Sequence, residues 1–401
     1  MSEIKKRKIN VHIDYKNLEL VIFIAIFTIL AIALRVSYFN YKSGDYNSFL
    51  YKWFNAIKEK GGIKGFGYTA DNCDYTSAYV FLITLMTLFP VDSLYSYKIV
   101  SCLFDIVMAA YVALIVLHVN KNKVTSVCAY AVILFLPNVF LNSAVWAQCD
   151  SIFTCFVIMS LYYILKGKSG TAMAMYGIAF AFKIQAVFFA PVIIVLLFRK
   201  KIKITGVFWM FGSYFLCSLP AMIFGVNPLI ALFGAYSVQV GEYSSRLSLN
   251  APNLYQLFVK SFTSSYVSKM GVFFALGVCG ILCVYFYRYE FEFTDKLIIA
   301  VSYLFTVMLP FVLPHMHERY FYLADITAVI FAFVYYKKSY ISVLTVYASF
   351  RVVMRYLFDN ENTKINFVYM AFIMLIGIVL LCQFLINEIS NQKKLNSEKK
   401  Q

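Results

Sequence analysis

Residues 75–90 read YTSAYVFLITLMTLFP, an apolar run that falls short of the roughly 20 residues a helix needs to cross about 30 Å of hydrocarbon. Whether it crosses decides the side on which every later loop lies. Other apolar runs are longer or come in clear succession, near 18–39, 95–117, 124–143, 151–165, 171–184, 186–198, 204–224, 268–287, 296–313, 320–336, 340–357 and 364–386. Between them sit short basic clusters: Lys5, Lys6, Arg7 and Lys8; Lys121 and Lys123; Lys166 and Lys168; Arg199 to Lys203; Arg288 to Lys296; Lys337 and Lys338; and a lysine-rich tail. If 75–90 is a re-entrant or interfacial segment, all of these clusters share one side, as the positive-inside rule requires. If it crosses, the later clusters are stranded outside. The run Thr171–Phe198 poses the opposite problem, because basic loops flank both its ends. Two short, irregular helices breaking near Lys183 to Gln185 satisfy the charges.

The chain therefore reads as an all-α polytopic membrane protein with about twelve transmembrane helices, or eleven to thirteen depending on the short runs. Of its 401 residues 61% are hydrophobic, 19% aromatic and 14% charged, with a mean hydropathy of +0.72 that no soluble domain of this size sustains. The net charge of +16 belongs to the loop clusters, and there is no basic face or motif for nucleic acid. One membrane-embedded unit spans 1–401, both termini being expected in the cytoplasm of a cell-membrane protein. The outside segments are 40–94, 144–150, 225–267, 314–319 and 358–363. The first apolar run is too long, and lacks the small-residue cleavage site, for a removable signal peptide; it is expected to stay as an anchor. Most of the nine cysteines lie in apolar runs and show no metal spacing. Cys73 and Cys149 fall in outside segments, placed to pair if the fold brings them together.

The first outside segment contains an amphipathic helix from Asp45 to Lys58, with Phe49, Leu50, Trp53, Phe54 and Ile57 on one face. Such a helix is expected to lie in the interface plane and to hold Asp45 near the headgroups. Asp45 itself fits two compatible readings, a helix N-cap and a general base for an acceptor hydroxyl. Asp74 opens the re-entrant segment and Asp150 follows Trp146-Ala147-Gln148-Cys149. Each fits a capping or solvated acid, yet three acids on one side at membrane depth suit sugar hydroxyls or a divalent cation.

Lys183 and Gln185 interrupt an apolar run, where a lysine is costly unless it snorkels or finds a partner; a phosphate is the sharper expectation. The densest cluster, His315, His317, Glu318 and Arg319, lacks the fixed spacing of a zincin helix. No metal cofactor is indicated, and hydrogen bonding to a phosphate suits His and Arg better. Arg351 and Arg355 lie a turn apart near the outer end of a later span, Arg355 fitting snorkelling better. Glu242 and Arg246 fall in the second long outside loop, as substrate contacts or a solvated salt bridge. Asp105 and Asp325 lie within spans, where acids mark ion pathways or pair with bundle Arg or Lys.

Together these segments resemble the membrane-embedded GT-C glycosyltransferases, in particular bacterial relatives of the GPI mannosyltransferases and of the dolichyl-phosphate-glucose-dependent glucosyltransferases. Gly44-Asp45-Tyr46 is similar to the family's GD(F/Y) element, whose Asp is the proposed base. Asp74-Tyr75 resembles a DYPP element with Thr76 and Ser77 replacing the prolines. Trp146 to Asp150 resembles WGQ-x-D, with Ala147 where glycine is expected. Phe182-Lys183-Ile184-Gln185 with Pro191 resembles FK-x-Q and its downstream proline, and His317-Glu318-Arg319 resembles HER or HEK. The resemblance covers residues 44–322 in order. It implies a GT-C-like bundle that transfers one sugar, with inversion, from a polyprenyl-phosphate sugar to a glycan or glycolipid acceptor on the non-cytoplasmic face. In that scheme Asp45 is the base, with Asp74, Trp146, Gln148, Asp150, Lys183, Gln185, His315, His317, Glu318, Arg319 and Arg351 as substrate-binding residues. The rival is a transporter or flippase for a lipid-linked sugar or small solute, drawing on Asp105, Asp325 and the helix break at Lys183. It lacks the matching repeats transporters commonly show.

Overall fold

A computed structural model describes residues 15–66, 73–242, 246–258, 265–289, 291–359 and 364–398, and within them the chain is almost wholly helical. Helix α1 (Tyr15–Ser37) leads through a π-helical turn at Tyr46–Leu50 into α2 (Tyr51–Glu59), and α3 (Ser77–Met86) precedes the long α4 (Ser93–Asn120). After α5 (Lys123–Phe135) and α6 (Pro137–Phe140), a second π turn (Leu141–Val145) runs into α7 (Asp150–Leu165) and α8 (Ser169–Phe182). A 3-10 segment (Ile184–Phe189) joins α8 to α9 (Ala190–Phe198), followed by α10 (Gly206–Ile223), α11 (Pro228–Glu242), α12 (Leu254–Phe258) and α13 (Ser265–Arg288). The last helices are α14 (Asp295–Val312), α15 (Tyr322–Val334), α16 (Ser339–Leu357) and α17 (Phe367–Glu398). Two short strands, β1 (Ser248–Leu249) and β2 (Met316–His317), pair in parallel.

Local chemistry sets several boundaries. The Asp92 carboxylate accepts from the Leu94 amide at 2.8 Å and Asn122 accepts from Val124 and Thr125, so α4 and α5 begin on side-chain caps. Pro137 opens α6, where its missing N–H costs nothing. Gly177 lets α8 lie against α10, since a Cβ there would fall 2.2 Å from the Met210 carbonyl oxygen. Helix α14 is the hub, with 78% of its apolar window buried inside the protein.

Among the described residues, six helices are long and apolar enough to cross a membrane: α1, α4, α10, α13, α14 and α17. A seventh results if α5 and the segment Pro137–Val145, bent by 47° at Leu136, form one broken span. The other expected crossings fall on α7, α8, the 184–198 unit and α15, each 10–17 residues long, and on α16, which carries Arg351 and Arg355. At 1.5 Å per residue, the 10 residues of α3 cover about 15 Å, half the hydrocarbon thickness.

Two expectations change. The apolar face of 45–58 packs largely on protein: Trp53, Phe54 and Ile57 are buried against Tyr79, Val80, Ile83 and Tyr97, where α3 folds back over them, while Phe49 stays exposed. The segment 225–267, expected as a loop, contains the helix α11, packed on α8 and α10 through the Tyr236 hydroxyl, which donates to the Phe180 carbonyl. The break in 171–198 falls at Lys183, whose backbone is extended (φ −156°, ψ 135°).

The polar loops gather at two ends. At one, Asn120 donates to the Phe333 carbonyl, His118 meets Asp295, Lys168 and Lys203 line one hollow, and Arg199 reaches the Tyr287 and Tyr289 carbonyls. Lys123 bonding to Asn17 and Lys393 over the Tyr289 ring bring the first and last helices to the same end. The opposite end holds residues 38–60, 73–77, 146–150, 246–250, 314–320 and 356–358.

Candidate functional site

At this second end Asp45 closes a ring of four donors. Its Oδ2 accepts from Trp146 Nε1 at 2.9 Å, Gln148 Nε2 at 2.7 Å and Arg319 Nη1 at 3.0 Å, while Oδ1 accepts from the Tyr356 hydroxyl at 2.8 Å. Burial pushes the Asp45 carboxyl up, but the Arg319 charge and the bonds from Tyr356 and Trp146 outweigh it, so the group sits below its ordinary value and is ionised at neutral pH. The Trp146 indole stacks on Tyr356 with centroids 4.7 Å apart, and the Arg319 guanidinium lies over the indole.

Two of the donors, Trp146 and Gln148, are fixed from behind. The Ser43 hydroxyl donates to the Trp146 carbonyl and accepts from the Tyr46 amide. The Ser101 hydroxyl donates to the Gln148 carbonyl, and Tyr75 donates to Gln148 Oε1. Ala147 takes φ +65°, the left-handed turn that aims Trp146 and Gln148 at one carboxylate.

Behind the ring lies a buried ion pair. Lys183 Nζ donates to Asp150 Oδ1 at 2.6 Å, Asn142 donates to Oδ2, and Arg319 Nε stands 3.9 Å from Oδ2. Arg319 thus bridges Asp45 and Asp150, and Lys183 has the partner its burial demands.

Two cavities meet at Asp74, Tyr75 and Arg319. The first, about 260 Å³, is walled by Asp45, Gln148, His317, Glu318 and Tyr356 and roofed by Arg246 and Ser248–Asn250. The second, about 310 Å³, is walled by Lys183, Gln185 and His315 among apolar side chains. The roof is tied down by the strand pair, with His315 N–H donating to Leu247 and Glu318 N–H to Leu249.

The histidines differ. His317 is half-buried beside Arg319, and desolvation together with that charge pushes it down to about 3, so it stays neutral. His315 takes φ +62°; its Nδ1–H donates to the Arg246 carbonyl and its Nε2 meets the Ser268 hydroxyl, which fixes the ring at the edge of the second cavity. Burial pushes Glu318 up to about 7 and raises Asp74 as well. Among the described residues, Oε1 of Glu318 and Oε1 of Gln185 are buried with no hydrogen-bond partner.

The structure therefore gathers Asp45, Asp74, Gln148, Lys183, Gln185, His315, His317, Glu318 and Arg319 on the two cavities. Trp146 and Asp150 act on them through hydrogen bonds without lining either. Arg351 lies outside both cavities on α16, because the turn that faces the site is the one carrying Tyr356. Arg355 pairs with Asp359. The Glu242 side chain lies outside the described residues. Cys73 and Cys149 are free thiols. Asp105 accepts from Arg35, Ser143 and Tyr322, and Asp325 accepts from Asn138 and Ser349, so both are tied into the bundle. Among the described residues no three His, Cys, Asp or Glu side chains gather as metal ligands.

Sequence reasoning missed Tyr356, Arg35 and the 248–250 roof. The pairing of Arg35 with an acid inside α4 was the one signal available, since an arginine near the end of the first span needs a partner. The sequence matches no protein-family profile, and no curated protein is significantly similar to it.

Proposed function

We propose that this protein is an integral membrane glycosyltransferase that moves one sugar from a polyprenyl-phosphate donor to a glycan or glycolipid acceptor, with Asp45 as the base. The observation that carries this reading is Arg319, one cation that holds the candidate base in one cavity and lines a second, cationic cavity next to it. A transfer reaction needs that adjacency, because the acceptor hydroxyl and the leaving phosphate lie on opposite sides of one anomeric carbon.

In the proposed step the acceptor oxygen bonds to the anomeric carbon as the bond from that carbon to the phosphate oxygen breaks. The electron pair leaves with the lipid phosphate, the hydroxyl proton passes to Asp45, and the single displacement inverts the centre. A carboxylate held below its ordinary value is a weak base, so it orients the hydroxyl first and takes the proton late. Lys183 and Arg319 support the leaving phosphate. A lipid-borne donor is further supported by an apolar groove of about 800 Å³ between α8, α9, α10 and α11, which shares Ile184 and Val187 with the cationic cavity. In this reading the bundle is GT-C-like, the short apolar helices complete about twelve crossings, and the site faces away from the cytoplasm.

Asp45→Asn keeps the shape of the ring and removes the base. It should lower transfer by about 100-fold or more while the protein still inserts in the membrane. Surface glycans of cells carrying the variant should match those of cells lacking the protein; wild-type decoration would overturn the assignment.

A further inference from the structure

Lys98 is fully buried, yet among the described residues no carboxylate pairs with it. Its ammonium donates to three backbone carbonyls, Tyr38 at 2.9 Å, Phe39 at 3.0 Å and Tyr41 at 2.7 Å. Those bonds use all three of its protons. The carbonyls belong to the turn that ends α1 and leads, four residues later, to Asp45. From the same face of α4 the Tyr95 hydroxyl donates to Asn40, and Asp105, two turns further on, holds Arg35 of α1. Downstream, Ser43 pins the chain to Trp146.

A buried lysine without a counter-ion is an expensive way to end a helix. A glycine in the left-handed conformation would do so more cheaply. What the lysine adds is a fixed path for residues 38–43, which a free C-terminal turn lacks.

We propose that Lys98 is a positioning residue that holds Asp45 within its ring of donors through the carbonyls of residues 38–41. This rests on the reading of Asp45 as the base, and it goes further by naming what places it. The Asp45 carboxylate must meet Trp146, Gln148, Arg319 and Tyr356 at once, and a displacement of about 1 Å costs on the order of 100-fold in rate.

The test uses the full-length protein labelled with 5-fluorotryptophan in detergent micelles, where its three tryptophans give three fluorine resonances. The Trp146 signal is assigned by its loss in Trp146→Phe. Because Trp146 Nε1 donates to Asp45, its resonance reports the ring directly. Lys98→Ala should shift this resonance in the same direction as Asp45→Asn, and should lower transfer in cells by about 100-fold. Adding methylammonium, which refills the ammonium site, should move the resonance back. Lys98→Met preserves volume and covers the case in which the alanine variant does not fold; its Trp146 resonance should shift likewise. An unshifted Trp146 signal in a folded Lys98 variant overturns the proposal, as does a shift that methylammonium leaves in place. If Asp45→Asn retains transfer while the Lys98 variants shift the resonance reversibly, the positioning stands and the catalytic reading of Asp45 falls.

Discussion

Glu318 faces Asp45 and Arg319 across the first cavity, and burial raises its carboxyl from 4.5 to about 7. A carboxyl raised above its unfolded value binds its proton more tightly in the folded chain. Its contribution to stability is therefore full below about 4.5, declines as the pH climbs toward 7, and is flat above that. The span corresponds to about 3 kcal/mol at most. Glu318→Gln removes the titration, so the difference in thermal unfolding midpoint between wild type and variant should change between pH 5 and 7.5, the wild type losing ground as the pH rises. Parallel midpoints across that range would show that Glu318 titrates normally. Asp45 was legible in the sequence because a carboxylate ahead of an amphipathic helix is a local pattern. Tyr356 was not, since it sits 311 residues away and nothing near it in the chain marks it as the Asp45 donor. The same limit explains Arg351: two arginines a turn apart advertise charge, and only the packing of α16 shows that the hydroxyl between the site and Arg355 is the group delivered.

Residues 141–150 form the element on which the site turns. A π-helical turn, a left-handed Ala147 and the start of α7 place three side chains, Trp146, Gln148 and Asp150, toward one point within five residues. The sequence shows those side chains as a motif, and the structure shows why the residue between them matters. An L-residue in the left-handed region costs about 1–2 kcal/mol, and glycine recovers most of it at the expense of about 0.5–1 kcal/mol of unfolded-state freedom. Ala147→Gly should therefore be neutral or stabilise by up to about 1 kcal/mol, whereas β-branched Ala147→Val should destabilise by about 2 kcal/mol or more. Thermal unfolding in detergent measures both. A glycine variant clearly less stable than wild type would mean that Ala147 does not adopt the turn. At this scale the helix break at Lys183 was readable, because basic loops flank both ends of the run 171–198 and a single crossing would split them; that Lys183 pairs with Asp150 required the fold. Helix α11 was hidden because it follows α10 after only Phe224-Gly225-Val226-Asn227, so its apolar residues give no separate signal.

Across the whole molecule, charge and geometry divide the chain along the same line. The contacts 120 to 333, 118 to 295 and 199 to 287 bring the basic loops to one end, and the ring of donors around Asp45 occupies the other. Helix α4, whose 28 residues rise about 42 Å, runs from one end to the other. Counting crossings from apolar length alone reads this poorly, because a helix packed inside the bundle can be short, bent or interrupted when protein satisfies its backbone. Loop charge adds a second guide, because the basic loops from Lys121 onward gather at one end, although Lys52, Lys58, Lys60 and Lys64 belong to the segment at the other. The orientation that follows is testable at exposed positions. Single cysteines placed at Lys58 and Asp359, at the Asp45 end, should react in intact cells with a membrane-impermeant maleimide. Cysteines at Lys201 and Lys338 should react only after the membrane is opened. The unsubstituted protein, probed in parallel, accounts for reaction at its nine native thiols, most of which lie in apolar helices. Labelling in the reverse order would turn the molecule over, put the cavities on the cytoplasmic side and remove the basis for an outward-facing transfer. Labelling of Lys58 and Lys201 on the same side would break the two-ended arrangement itself, and with it the demotion of residues 75–90 from a crossing.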